Sequence, residues 1–89
     1  MPERTTTSEA VRAGAPVRVG GAVLLPIERI LVHAGRGRGL VWSTATKELH
    51  ALVVRDARGV RALGPDGGPV PLEPLRAAVP GLDDLLSPA

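Results

Sequence analysis

The chain has 89 residues, 44% of them apolar by type and 22% charged, with a formal net charge of +2. That length allows one domain with a small core. The absence of cysteine excludes disulfides, thiol catalysis and any zinc site built on thiolates, and it suits a reducing compartment.

Residues 1–13 are polar and rich in threonine and read as a flexible N-terminal arm. Residues 14–73 read as a β domain. Val17 and Val19 flank Arg18 with period two, and Gly20-Gly21 separates them from Ala22-Val23-Leu24-Leu25. Two β-prone runs split by a Gly pair predict a tight hairpin. Residues 26–34 admit two readings. Pro26 in a first helical turn, Ile27, Ile30 and Leu31, with Gly35 as a stop, fit a short helix. The β-branched Ile27, Ile30 and Val32 favour a strand, with Pro26 at an edge or a bulge.

"AGRGRGL", residues 34–40, lies between two apolar runs and reads as the link between strands. Residues 40–45 predict a short strand with Leu40, Trp42 and Thr44 on one face. "KELHALVVRD", residues 47–56, is the clearest strand of the chain. Strict alternation directs Leu49, Ala51 and Val53 to one face and His50, Leu52 and Val54 to the other. Apolar side chains on both faces imply burial on both sides, by this chain or by a partner. Asp56-Ala57-Arg58-Gly59 is a turn, from which Val60 and Leu63 return as a strand. "GPDGGPVPLEP" is turn chemistry that leaves room for a short strand at Val70 and Leu72.

Residues 74–89 read as a C-terminal helical segment. Leu75, Ala78, Val79, Leu82, Leu85 and Leu86 recur at helical spacing, and Pro80-Gly81 divides them into one short helix or two single turns. The predicted fold class is mainly β: a small antiparallel sheet or partly open barrel of five to six strands, with a short C-terminal helix.

The order of these features resembles the GerW/YtfJ-type sporulation protein family. "GAPVRVGG" matches a G-x-P-x-x-x-x-G lead-in, and Leu25-Pro26-Ile27 stands where the family has an I-P-[VI] step. A glycine-rich loop follows, then an apolar strand leading to Gly59-Val60-Arg61-Ala62-Leu63, like the family's G-V-x-x-L strand. "VPGLDDLL" is similar to the closing x-P-x-L-x-x-L-L segment, so the likeness runs over about residues 14–86. The resemblance implies a small cytoplasmic β-rich protein linked to bacterial sporulation or germination. It supplies no catalytic residue.

The chemistry-bearing residues form no recognisable motif. Gly35, Gly37 and Gly39 alternate with Arg36 and Arg38, which meets neither the G-x-G-x-x-G nor the P-loop pattern. Anion contact through Arg36 and Arg38 is the functional alternative to a plain loop. Glu48 and His50 share a strand face, and His33 is the available third ligand, but the spacing carries no metal motif, so no metal or other cofactor is expected. Ser43, His50 and Asp56 supply the residue types of a nucleophilic triad without a nucleophile elbow around Ser43. No catalytic residue is expected.

Charge is uneven. Residues 1–61 hold ten Arg or Lys against five acids, and residues 62–89 hold Arg76 against Asp66, Glu73, Asp83 and Asp84. Such a dipolar chain favours association with its own copies. With one Trp and no Phe or Tyr, the chain lacks the stacking platforms of single-strand binders, so nucleic acid is not the expected partner.

The expected function is therefore a non-catalytic, self-associating structural or adaptor protein, homo-oligomeric or bound to a protein partner. Its expected interface residues are Trp42, Leu49, Ala51, Leu52, Val53 and Val54, with Trp42 serving either core or interface. The alternatives are a basic nucleic-acid-binding module using Arg36, Arg38, Arg55, Arg58 and Arg61, and a small metal-dependent enzyme. No apolar run reaches membrane-spanning length and the N-terminus lacks a signal-peptide core, so a cytoplasmic location without membrane insertion is expected.

Overall fold

The computed structural model describes residues 4–87. Six strands and two short helices follow one another: β1 Arg4–Ala13, β2 Val17–Val19, β3 Ala22–Gly37, β4 Leu40–Asp56, β5 Gly59–Leu63, β6 Pro69–Val70, α1 Glu73–Ala78 and α2 Leu82–Leu85. The strands make one open antiparallel sheet in the order β1-β3-β4-β5-β6, with β2 also on β3. The barrel alternative is thereby set aside.

A long hairpin organises the molecule. β3 and β4 run 16 and 17 residues and pair from Val23–Arg55 to Gly37–Leu40. The link expected at "AGRGRGL" shrinks to a turn of Arg38 and Gly39, with φ of 49° and 76°. Positive φ at both central residues is the type I′ geometry that matches strand twist. Gly39 takes it without strain; Arg38 bears roughly 1–2 kcal/mol for it. Residues 26–34 are strand throughout, as the β-branched residues indicated, and α1 and α2 are the two turns separated at Pro80-Gly81.

β1 and β2 lie end to end along the same edge of β3, covering Ile27–Arg36 and Ala22–Leu24 respectively. Residues 4–13 are thus a ten-residue strand rather than the expected arm; residues 1–3 of that arm lie outside the described residues. Threonine explains the difference. "TTT" is polar enough to read as loose chain, yet Thr is β-branched and suits a solvated strand. On the other side of β4, β5 covers only Leu52–Asp56.

The core lies at one end. Val23, Leu25 and Ile27 of β3, Ala51 and Val53 of β4 and Ala62 of β5 pack under Leu75, Val79, Leu82 and Leu86 from the helical segment. The helices are pinned by polar contacts as well. Arg55 Nη1 donates to the Leu86 carbonyl at 3.1 Å, and Arg76 pairs with Glu73 at 2.8 Å and Asp83 at 3.3 Å. Beyond Ile27 the sheet continues as β1, β3 and β4 alone, and no residue between 28 and 50 belongs to the core. The molecule is accordingly 59 × 25 × 20 Å, with a radius of gyration of 17.0 Å. A compact chain of this length would have about 12 Å.

Candidate interaction surface

Strand alternation gives the sheet two faces. Near the base, one face is covered by the helices. The other carries Leu24 and Pro26 of β3, Leu52 and Val54 of β4 and Leu63 of β5, with no helix over it. Val54 is buried but stands outside the core cluster, because its cross-strand partners are Leu24 and Arg61.

A β-bulge between Ile27 and Glu28 changes the phase of β4. Ile27 opposes Ala51 while Glu28 opposes Leu49, so His50 is the inserted residue. Leu49 therefore shares the open face with Leu52 and Val54. The expected grouping of Leu49 with Ala51 and Val53 is corrected accordingly, because one extra residue inverts every later side chain. Past the bulge the open face continues as Ile30, Val32 and Ala34 on β3 and Val41 and Ala45 on β4, beside Ala10 on β1. The Lys47–Glu28 pair at 3.1 Å crosses it near the bulge.

The residues expected at the interface thus divide. Ala51 and Val53 are core, 1% and 0% exposed, sheltered by the chain's own helices. Leu52 is half-buried and Val54 buried on the open face. Trp42 and Leu49 remain 47% exposed. Sequence reasoning placed Leu40 on a strand face and left Val41 unassigned; they are 69% and 78% exposed on the same strand. Four of the seven large exposed apolar residues among the described residues lie between positions 40 and 49. Every residue from Leu40 to His50 is exposed.

Trp42 does not belong to the core. It lies on the far part of the helix side of the sheet, opposite Gly35, and its indole fills the place where a Cβ on Gly35 would stand. Gly35 is buried by that contact. The arrangement is a cross-strand aromatic covering a strand glycine. Beside it, Arg29 bridges Glu9 at 3.1 Å and Glu48 at 3.6 Å, and Thr7 Oγ1 meets His33 Nδ1 at 3.2 Å. Beyond the helices this face therefore mixes ion pairs and polar contacts with the exposed Leu40 and Trp42.

The other candidate sets are not assembled. Arg36 and Arg38 sit at the hairpin tip, whereas Arg55, Arg58 and Arg61 lie at the opposite end of β4. Seventeen strand residues separate those ends, roughly 55 Å at strand rise, so the cations form no single patch. Arg61 is engaged by Asp56 through two bonds of 3.1 and 3.0 Å, and Asp56 also accepts the Arg58 backbone N–H at 2.9 Å. The Arg61 guanidinium first, and the Arg58 amide second, hold the Asp56 carboxyl below the usual carboxylate range. Ser43, His50 and Asp56 are strung along β4, too far apart for a triad. No group of three metal-ligating side chains occurs among the described residues. No described helix is long and apolar enough to cross a membrane. The chain matches no family model, no curated protein and no solved structure.

Proposed function

We propose that the protein is a non-catalytic, self-associating structural or adaptor protein. The observation that carries this reading is the outer half of the sheet. There three strands stand beyond the core, with an apolar stripe of Ile30, Val32, Ala34, Val41, Ala45 and Leu49 under no helix and four large exposed apolar side chains on β4. Exposed apolar surface and long uncovered strand edges are the features that natural proteins bury in partners. The likeness of "GAPVRVGGAVLLPI" and "VPGLDDLL" to GerW/YtfJ-type proteins supports a role linked to sporulation in the cytoplasm of a bacterium.

Light scattering coupled to size exclusion tests the reading. Species larger than the monomer are expected at micromolar concentration, returning to monomer on dilution. A monomer at every concentration overturns it. Abundance that rises during spore formation in the native host is the expected sign of the sporulation link, and constant abundance across growth overturns it.

A further inference from the structure

We infer that two copies of the chain join edge to edge through the outer part of β4, antiparallel about a two-fold axis at Ala45. The inference rests on the self-association reading and specifies its geometry. β4 is paired to β3 along its length, but β5 covers only Leu52–Asp56. Among the described residues, the stretch from Leu40 to Ala51 is therefore an uncovered edge, bounded by the hairpin turn at one end and by β5 at the other.

The type I′ turn fixes which backbone groups that edge offers. Gly37 and Leu40 close the turn, and such a closing pair exchanges hydrogen bonds across the hairpin. Leu40, Trp42, Thr44 and Thr46 then direct their N–H and C=O groups to β3. Val41, Ser43, Ala45, Lys47 and Leu49 direct theirs outward. A second copy laid antiparallel about Ala45 satisfies this set with about ten new hydrogen bonds.

The side chains agree with that register. Val41 opposes Leu49 of the other copy, which brings together two exposed apolar residues, 78% and 47% exposed. Ser43 opposes Lys47, Thr44 opposes Thr46, and Trp42 opposes Glu48, so no like charges meet. Sliding the axis to Lys47 sets lysine against lysine, which is unfavourable. Sliding it to Ser43 carries Leu49 past the end of the other copy's turn. The axis at Ala45 also fits the length of the slot, because Leu40 of one copy then stands opposite His50 of the other. The Arg36–Arg38 tip stops where β5 begins, next to the turn that carries Asp66.

The opposite edge is less suited. β1 presents Thr5, Thr6, Thr7 and Ser8 with no large exposed apolar residue among its described side chains. Pairing of β4 with β1 of another copy would be heterologous and would propagate into a filament rather than close.

The natural lack of cysteine permits a direct test with single-cysteine variants. Across an antiparallel pair the two Cα atoms at the axis lie about 5.5 Å apart, within disulfide reach. Mild oxidation of Ala45→Cys is expected to give a covalent dimer, and oxidation of Ala10→Cys on β1 is expected to give none. Ser43→Pro removes an outward N–H and should weaken the dimer at least about tenfold while leaving the circular dichroism of the monomer unchanged. Oligomers by light scattering with no Ala45→Cys cross-link overturn the β4 pairing while leaving self-association standing. A covalent dimer formed only when the two cysteine variants are mixed, together with species larger than a dimer by light scattering, overturns the closed dimer in favour of a filament. A wild-type chain that is monomeric at all concentrations overturns both.

Discussion

Gly35 and Trp42 show how a single residue type is dictated by its opposite number. The indole occupies the space of the missing Cβ, so even alanine at position 35 forces the ring away. Gly35→Ala is expected to destabilise the sheet by about 1–3 kcal/mol and to shift Trp42 emission to longer wavelength as the ring moves into water. Asp56 is a second such position. Its carboxyl holds the β4–β5 turn through Arg61 and the Arg58 amide, and its folded pKa lies below the ordinary 3.8. A depressed pKa means that the contribution is complete above the ordinary carboxylate value and disappears as the pH falls through the lower, folded one. The melting temperature of Asp56→Asn should therefore lie below wild type at neutral pH, and the gap should close towards pH 2. Arg55 anchors the helices by one hydrogen bond, and Arg55→Met should cost about 1–2 kcal/mol in a denaturant melt.

Within β4, two residues of similar chemistry have opposite tasks. Val53 is fully buried under the helices and Leu49 is exposed on the other face. A charge at Val53 must unfold a chain this small, since burying an unpaired carboxylate exceeds its margin. Leu49→Asp should retain the native circular dichroism and lower only the degree of association. The alternation of "ALVV" made the two-faced strand legible in the sequence. The bulge at His50 was not legible, because nothing in "ELHAL" marks an inserted residue; it is a property of the pairing with β3. β1 was missed for a related reason. Its pairing is settled by partners 14 residues away at Ala13–Ile27 and 32 away at Arg4–Arg36, while its local composition is that of a loose tail. The turns at Gly20 and Gly59, where glycine supplies the positive φ, were legible, whereas the tight turn at Gly39 was read as a longer link over residues 34–40.

At the scale of the molecule, stability is unevenly distributed. The base joins sheet and helices through a shared core, and the outer sheet relies on backbone hydrogen bonds and surface ion pairs. Exposed ion pairs are each worth about 0–1 kcal/mol, so the outer part should open far more readily. Hydrogen exchange read by mass spectrometry is expected to show fast exchange over residues 28–50 and slow exchange over 23–27 and 51–54 in dilute protein. Raising the concentration should then protect residues 41–49 selectively. Fold class and the helical cover were legible from periodicity. The elongation was not, because no local pattern announces that β3 and β4 outrun the strands and helices available to cover them.

The separation of a helix-capped base from a projecting blade has a consequence for how the protein can vary. Since the blade lends only Val11, at its root, to the packing of the hydrophobic interior, its reach is an adjustable dimension. Excising matched dipeptides from both legs of the hairpin, two from each so that the facing of every remaining side chain is kept, should yield shorter proteins that still fold. Natural or engineered versions could therefore act as rulers of graded span.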